Sequence, residues 1–311
     1  MTSPSSHPLG LRPARLRRVQ LAVPGSSEKM MAKAAASAAD HVFLDLEDAV
    51  APNRKIEARD LIVNALNTLD WGKKTRCVRI NALDTPFTTE DVISLVKGAG
   101  ENLDTLMLTK VKTPHDILYV DTMLRQLEES LGLNKRIGLE ALIEEVEGLQ
   151  NVDAIASSCD RLEALVFGMG DFSASMGTLI TPDGKVGPYP GDLWHYARFR
   201  MTMACRAAGI DALDGPYADF RDEAGFREEC SRSLTIGMVG KWAIHPNQIA
   251  WAQDVFTPDA EVVAHMRKLA TAYEKAQEDG LGAIAVDGAL VDAASIRMFG
   301  ATLRAADLIG M

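Results

Sequence analysis

The sequence predicts a closed (β/α)8 barrel, a TIM barrel, followed by a helical extension, and three observations support this prediction. Strand and helix patterns alternate from residue 18 onward, giving eight apolar strands that are each followed by a helical stretch. The chain has 311 residues, and a barrel of ~250 residues leaves room for such an extension. Polar residues recur where the predicted strands end, on the face where barrel enzymes build their active sites.

The predicted strands are short apolar runs bounded by Gly, Pro or helix-capping residues. They cover residues 19–23, 41–46, 77–80, 105–108, 137–143, 164–167, 210–213 and 241–244. The fifth and sixth runs are almost continuously apolar, which favours parallel strands that are buried on both faces.

The predicted helices begin at residues that cap or open helices well. Ser26 or Ser27 caps the first helix, Pro52 opens the second, and Thr88 or Thr89 caps the third. The helices cover residues 28–38, 52–69, 88–96, 114–131, 146–157, 193–208 and 222–234, with a loop rich in Gly and Pro over residues 181–191.

The chain divides into three predicted regions: a leader over residues 1–17, the barrel over residues 18–256 and the extension over residues 257–311. The leader is rich in Ser, Pro and Arg and contains no acid, so we expect it to be disordered, and its resemblance to a transit peptide is weak. The basic residues near its end either contact phosphates at the edge of the fold or lie in solvent: Arg12, Arg15, Arg17 and Arg18.

The extension is expected to contain two helices. A long helix over residues 258–278 is followed by Gly280 and Gly282, which permit a hinge. Asp292 is placed to cap the last helix. Such an extension acts as a lid, as a clasp between subunits or as a packed terminus.

The composition argues against several classes of function. The net charge of −10 disfavours nucleic acid or an anionic membrane as the main partner. No apolar run reaches membrane-spanning length. The cysteines form no close pair and no metal-binding spacing, which predicts a reduced, cytoplasmic protein. They are Cys77, Cys159, Cys205 and Cys230.

Two carboxylates follow the fifth and sixth predicted strands. Glu144 ends the fifth run, and Asp171 follows Gly168-Met169-Gly170, where the backbone can turn sharply. Their separation of 27 positions (171 − 144) fits neighbouring strands joined through one helix, so we expect both at one rim. Two hard oxygen ligands there predict Mg²⁺. Alternatively, each acid only caps the helix that follows it.

Other predicted strands also end in polar side chains. These are Asp45, Glu47, Asp48, Arg79, Asn81, Lys110, Asp214 and His245. Glu140 lies deeper in the same strand, below Glu144. Several acids around one cation would explain how so many negative charges converge. Some of these residues could instead have structural roles. Arg79 or Lys110 can form an ion pair with a neighbouring acid, and one of Asp45 and Glu47 can face solvent. Likewise, Asp214 can shape a turn and His245 can anchor a loop.

Seven short motifs occur in order along the chain. They are Val-Pro-Gly at 23–25, Asp-Leu-Glu-Asp-Ala-Val at 45–50, Val-Arg-Ile-Asn-Ala-Leu-Asp-Thr-Pro at 78–86, Ile-Glu at 143–144, Phe-Gly-Met-Gly-Asp at 167–171, Asp-Gly-Pro-Tyr at 214–217 and Gly-Lys-Trp-Ala-Ile-His-Pro at 240–246. Together they resemble the citrate lyase β-subunit family of the HpcH/HpaI aldolase superfamily, in the branch of malyl-CoA and related CoA-ester lyases. The resemblance spans about residues 15–300.

The resemblance implies a TIM barrel, a Mg²⁺ site that could also take Mn²⁺, and a homotrimer or hexamer. It assigns Glu144 and Asp171 to the metal and Arg79 to the acyl oxygen of the substrate. Glu47 and Asp48 then lie near the waters of the metal.

Further substrate contacts are expected from Arg18, Pro24 and Gly170, beside Asp171 and Arg79. Residues 287–292 resemble the lid segment that brings an aspartate, here Asp292, over the site of a neighbouring subunit. The sequence departs from the family motifs at two positions, and these departures leave the identity of the substrate undetermined. Thr109 stands where the motif usually has proline, and the sixth strand lacks the acid that many relatives have before Asp171.

The activity implied is a reversible, Mg²⁺-dependent cleavage of a malyl-CoA-type 3-hydroxyacyl-CoA into an acyl-CoA and a 2-oxo acid such as glyoxylate. Arg79 would stabilise the thioester enolate and Asp292 would move the α-proton. The alternatives are a malyl-CoA thioesterase with the same metal site, a citryl lyase β-subunit whose substrate is held by an acyl carrier, and a non-catalytic metal-binding barrel. The sequence does not distinguish among acyl groups or 2-oxo acids.

Overall fold

Eight parallel strands close into a barrel in a computed structural model that describes residues 12–178 and 189–311. Each strand pairs with the next along the chain, and the first pairs with the last. The strands are β1 Val19–Pro24, β2 His41–Asp45, β3 Thr75–Arg79, β4 Thr105–Leu108, β5 Gly138–Ile143, β6 Leu162–Phe167, β7 Asp211–Asp214 and β8 Gly240–Ala243. The predicted fold class is confirmed.

Helices lie between consecutive strands and after β8. They are α1 Glu28–Ala35, α2 Lys55–Thr68, α3 Thr88–Ala99, α4 Pro114–Leu131, α5 Val146–Gln150, α6 Val152–Ala156, α7 Met169–Ser175, α8 His195–Ala208, α9 Glu223–Thr235 and α10 Asn247–Phe256. The single helix predicted over residues 146–157 is thus two short helices that meet at Asn151. Helix α7 begins after Gly168, where we expected only a sharp turn.

The interior of the barrel has three layers. A middle apolar layer consists of Phe43, Cys77, Met107, Leu142, Ala164, Val166, Leu213 and Trp242. Polar side chains lie above it at the carboxyl ends of the strands, which we call the rim, and below it at the amino ends, which we call the floor. Because strand side chains alternate between faces, every second residue of a strand contributes to these layers. The residues between them pack against the helices in a larger apolar core.

The segment before β1 contacts the floor. Arg15 and Arg17 pair with Glu163, and Arg12 donates to the backbone oxygens of Asp160, Cys159 and Ala208. Residues 12–17 of the predicted leader are therefore packed against the barrel, whereas residues 1–11 lie outside the described residues. Of the loop predicted over residues 181–191, residues 181–188 also lie outside them.

The extension consists of α11 Ala260–Glu278, the antiparallel hairpin β9 Ala283–Val286 and β10 Ala289–Asp292, and α12 Ala293–Leu308. It has a small core of its own around Leu269, Tyr273 and Val291. The hairpin was not predicted, although its turn, Asp287-Gly288, is a dipeptide that favours tight hairpin turns. Both turn residues have positive φ, at 50° and 80°. Within the described residues, no helix is both long enough and apolar enough to cross a membrane.

Candidate active site

Arg79, at the end of β3, is fixed in the rim by two acids. Its Nε and Nη2 donate to the two carboxylate oxygens of Asp45 at 2.7 and 2.6 Å, and its Nη1 lies 3.2 Å from Glu47 Oε2. The guanidinium also lies over the rings of Phe43 and Trp242, 5.7 and 5.2 Å from their centroids. A bidentate pair on an aromatic platform holds the plane of an arginine in one orientation.

Asp45 is itself held by the turn that follows β2. Its two carboxylate oxygens accept hydrogen bonds from the backbone N–H groups of Glu47 and Ala49 at 2.8 and 3.0 Å. Asp45 and Glu47 are both buried, so neither carboxylate faces solvent as one alternative supposed. The acids of this turn therefore orient Arg79 and also supply negative charge to the rim.

Glu144, directly after β5, is a buried carboxylate with few partners. Its Oε1 accepts the backbone N–H of Lys110 at 2.8 Å. Burial raises the pKa of Glu144 to about 8, and the charge of Asp171 acts in the same direction. The backbone of Gly168 approaches the same carboxylate so closely that a Cβ there would lie 2.6 Å from Glu144 Oε2. The local backbone is thus shaped around this carboxylate.

Asp171 lies in the first turn of α7, where a negative charge is favoured by the helix dipole. Its side chain is 42% exposed. Lys110 Nζ lies 3.8 Å from Asp171 Oδ2 and 3.9 Å from Asp48 Oδ1, and it hydrogen-bonds Glu47. Burial alone lowers the pKa of Lys110, but the hydrogen bond and charge of Glu47 raise it overall. The ammonium is thus the cation on which these rim acids converge.

The rim offers a suitable site for a hard divalent cation. Glu144 and Asp171 supply carboxylate oxygens, and Glu47 and Asp48 add two more carboxylates within reach of Lys110. Mg²⁺ prefers oxygen ligands and typically takes only one or two carboxylates from the protein. A cation would also stabilise the ionised form of Glu144, which burial otherwise disfavours. The residues present therefore fit the predicted magnesium site.

The structure brings most of the predicted site residues to this rim, and the exceptions are Arg18 and Asp292. Pro24 pairs in register with Asp45, and Gly170 directly precedes Asp171. Arg18, in contrast, precedes β1 at the floor, where it donates to Asp40 and Thr257. The six residues of β1 separate it from the rim by roughly 20 Å. Arg18 therefore lies far from the rim of its own chain, and its contact with substrate stays a prediction.

Asp292 also lies apart from the rim of its own chain. Every hydrogen bond of its carboxylate within the described residues goes to Ala294 or Ser295, so it caps α12 as predicted. The carboxyl-terminal half of α12 lines a cavity of about 680 Å³ with floor residues that include Arg17 and Arg18. The extension is therefore placed beside the floor, at the opposite end of the barrel from Glu144.

Two further strand-end residues have structural roles. Asp214 is fully buried and binds Arg198 and Lys241 between β7, β8 and the helices around them. His245 stacks on Phe220 with ring centroids 4.7 Å apart, as a loop anchor does. The sequence indicated that Lys110 could pair with an acid, but its contact with three rim acids depends on long-range packing that no local pattern encodes.

One protein family and several known proteins match this chain over most of its length. The HpcH/HpaI aldolase/citrate lyase family matches residues 18–246. An L-malyl-CoA/beta-methylmalyl-CoA lyase of Cereibacter sphaeroides is 45% identical over 307 residues, which cover 96% of each chain. A malyl-CoA/beta-methylmalyl-CoA/citramalyl-CoA lyase of Chloroflexus aurantiacus is 32% identical and covers 93% of this chain and 87% of that one. The crystal structure of CitE from Mycobacterium tuberculosis in complex with magnesium, acetoacetate and coenzyme A superposes with a TM-score of 0.71 at 28% identity, over 93% of this chain and 97% of that chain.

Proposed function

The chain belongs to the HpcH/HpaI aldolase/citrate lyase family and is a CoA-ester lyase, and we propose that it cleaves a malyl-CoA-type 3-hydroxyacyl-CoA reversibly into an acyl-CoA and a 2-oxo acid such as glyoxylate. The observation that carries this proposal is the rim, where an arginine held by Asp45 lies beside the carboxylates of Glu144 and Asp171. Relatives that are named for this reaction match nearly the whole chain.

Glu144 and Asp171 would hold a Mg²⁺ ion, or Mn²⁺ in its place, with Glu47 and Asp48 beside them. The ion would supply a Lewis acid for the carbonyl oxygen of the 2-oxo acid. The CitE structure is a complex with magnesium, acetoacetate and coenzyme A, which supports a magnesium ion as the partner of these carboxylates. The protein would contribute the position of the carboxylates and the surrounding buried surface.

Arg79 would stabilise the oxygen of the thioester enolate that forms as the carbon–carbon bond breaks. Its Nε and Nη2 are committed to Asp45, so Nη1, which lies 3.2 Å from Glu47 Oε2, is the donor that would face the substrate. A charged donor aimed at a developing negative oxygen acts most strongly when it is already oriented before the reaction. The Asp45 pair and the two aromatic rings supply that orientation. Pro24 and Gly170 lie where they would contact the same substrate.

Asp292 would protonate the enolate carbon in cleavage and remove the α-proton in condensation. The backbone N–H of Ser295 lowers the pKa of Asp292, which favours the carboxylate, the form that accepts a proton. Because the extension lies beside the floor of its own barrel, Asp292 would complete the rim of a neighbouring chain. A homotrimer or hexamer would provide that neighbour.

A product assay tests the proposal. Malyl-CoA is incubated with the protein and Mg²⁺, with a reagent that traps glyoxylate. We expect glyoxylate and acetyl-CoA in equal amounts, and neither from the Asp171→Ala variant. Malate with free CoA would instead identify a thioesterase. Turnover only of a substrate on an acyl carrier would identify a citryl lyase β-subunit, and no product from either substrate would leave a non-catalytic barrel.

Mixing two inactive variants tests the contribution of a second chain. Asp171→Ala and Asp292→Asn damage different halves of the proposed site, so subunit exchange should restore part of the activity in sites where both residues are intact. Mixing Asp171→Ala with Glu144→Ala is the control, because both changes fall in the same half and no intact site can form. A monomer in solution, or complete exchange without recovered activity, would overturn the role of Asp292 across subunits.

A further inference from the structure

Three potential metal ligands converge inside the barrel, away from the rim. His41 on β2, Cys77 on β3 and Glu140 on β5 each place one ligand atom within 4.8 Å of the other two. All three residues are fully buried. Glu140 lies below the apolar layer to which Cys77 belongs, and Glu144 lies above it on the same strand. The cluster is therefore distinct from the site proposed at the rim.

His41 gives an independent sign that something is bound here. Neither of its ring nitrogens has a hydrogen-bond partner among the described residues, although the side chain is fully buried. A neutral imidazole carries one N–H donor and one acceptor, and buried polar atoms are satisfied in the great majority of cases. Gln20 Oε1 is a second buried atom without a partner, and Gln20 Nε2 donates to Glu140 at 2.7 Å.

We propose that His41, Cys77 and Glu140 bind a structural divalent cation of the zinc class, with Gln20 Oε1 as a fourth ligand. A thiolate and an imidazole suit Zn²⁺, whereas Mg²⁺ prefers oxygen ligands alone. Tetrahedral Zn²⁺ requires ligand atoms roughly 3.3–3.6 Å apart, given its usual bond lengths. His41 Nδ1 and Glu140 Oε1 are already 3.7 Å apart, and all three ligand atoms lie within 4.8 Å of one another, so binding would draw them closer together.

The charges around the cluster are compatible with a cation. Glu140 Oε1 also accepts hydrogen bonds from Arg17 at 3.2 Å and from Thr105 at 3.3 Å, so the cation would share this oxygen with them. The charge of Arg17 is balanced by Glu163 and Asp211 as well. Burial lowers the pKa of His41 to about 4, which keeps the imidazole in the neutral form that binds metals. Burial raises the pKa of the Cys77 thiol, so its proton would leave to solvent only as the cation binds.

The metal content of the protein tests this proposal independently of enzyme activity. The full chain is expressed in zinc-containing medium and dialysed against EDTA, which removes a cation from the exposed rim but not from the closed interior. Elemental analysis should then find about one zinc per chain, held because release requires opening of the fold. Cys77→Ser and His41→Gln should lower this content at least about tenfold. Cys205→Ser is the matched control, since Cys205 is equally buried but lies on α8, outside the barrel interior.

Cobalt provides a spectroscopic test of the ligands. Chain refolded with Co²⁺ should show a thiolate-to-cobalt charge-transfer band in the wild type and in Cys205→Ser, and the band should be absent in Cys77→Ser. Wild-type protein with neither zinc nor a cobalt band would overturn the inference and leave an ordered water as the partner of His41. Equal zinc in wild type and Cys77→Ser would also overturn it, because the ion would then be adventitious. The wild-type measurements decide the question even if a variant fails to fold.

Discussion

Two glutamates on one strand show how the two ends of the barrel differ. Glu140 and Glu144 lie on β5 and directly after it, and both are buried. Burial raises the pKa of both, but at the floor the charge of a protonated His41, the Arg17 guanidinium and the hydrogen bond from Gln20 lower the pKa of Glu140 overall. At the rim burial prevails, and the pKa of Glu144 rises to about 8. The charge of Glu140 is thus stabilised by protein side chains at the floor, whereas the charge of Glu144 at the rim lacks comparable stabilisation.

The comparison indicates that the polar layer at the floor stabilises the fold, whereas the polar layer at the rim serves function. Floor carboxylates are paired with arginines that arrive from the segment before β1, as Arg15 and Arg17 pair with Glu163. Rim carboxylates outnumber their partners and converge on Lys110, and Asp171 is partly open to solvent. Catalytic groups of barrels lie at the carboxyl ends of the strands, whereas the opposite end serves stability. We therefore expect substitutions at the rim to change activity and substitutions at the floor to change stability.

The largest effect is expected from Asp171→Ala. Loss of a proposed metal ligand should lower kcat by at least about a thousandfold, equivalent to ~4 kcal/mol of transition-state stabilisation. The urea midpoint should stay near the wild-type value, because this partly exposed side chain contributes little packing. Asp153→Ala, which removes an exposed carboxylate on α6, is the control for activity. Full turnover of Asp171→Ala without divalent metal would show that the rim is not a metal site.

Arg17→Met tests the floor. This change removes the arginine partner of Glu140 and one of the two arginine partners of Glu163 in a region closed to water, and breaking a buried ion pair typically destabilises a protein by ~3–5 kcal/mol. Urea unfolding should show this loss, while kcat of the remaining folded protein stays near that of the wild type. In Arg54→Met the exposed pair with Glu57 is lost instead, and because solvent screens this pair the expected change in stability is much smaller. A large fall in kcat with unchanged stability would contradict the division between floor and rim.

Arg79→Lys keeps the charge at the rim but removes the planar fork. Lysine cannot hold both oxygens of Asp45 and also present an oriented donor to substrate. We expect kcat to fall by about 10²–10³-fold, the usual effect of removing one oxyanion donor, with a smaller change in KM. Steady-state kinetics and a thermal unfolding scan measure the two effects. Equal activity in the lysine variant would reduce Arg79 to a structural ion pair.

The sequence predicted what depends on local pattern. The alternation of strands and helices gave the barrel, with β4 matched residue for residue, because buried parallel strands are recognisable as apolar runs between capping residues. Strand-end position alone was enough to bring Glu144 and Asp171 to one rim. Helix α7 was missed because two glycines around Met169 indicate a turn more strongly than a helix.

What the sequence did not predict depends on contacts between distant segments. The cluster of His41, Cys77 and Glu140 joins three strands with no characteristic spacing, so no metal motif was visible. The ion pairs of Arg18 with Asp40 and of Arg17 with Glu163 join segments far apart in the chain, so no local pattern predicts them. The hairpin around Gly288 has a local sequence signal in its turn. The prediction placed only a hinge between the long helix and the last helix, and it therefore missed the hairpin.

The smallest expected effect concerns pH and a floor carboxylate, Asp104, which directly precedes β4. Burial alone would raise its pKa, but hydrogen bonds from Arg76 and the charge of Lys135 lower the pKa of Asp104 to about 2. The folded state therefore binds this proton less readily than the unfolded chain. The stabilisation that the Asp104 carboxylate contributes is complete at pH values above its ordinary pKa of 3.8. It is lost as the pH falls from there toward 2. A shift of this size corresponds to about 2 kcal/mol.

Asp104→Asn should therefore be less stable than wild type by about 2 kcal/mol near pH 6. This gap, the difference in unfolding free energy, should disappear as the pH approaches 2. Asparagine still accepts the Arg76 backbone N–H through its amide oxygen, so the comparison isolates the charge. Urea unfolding at fixed protein concentration, at pH 6 and at pH 3, measures the gap. Asp60→Asn, an exposed carboxylate on α2, should show no such narrowing. A gap that stays constant with pH would mean that the arginine and lysine at the floor position Asp104 without stabilising its charge.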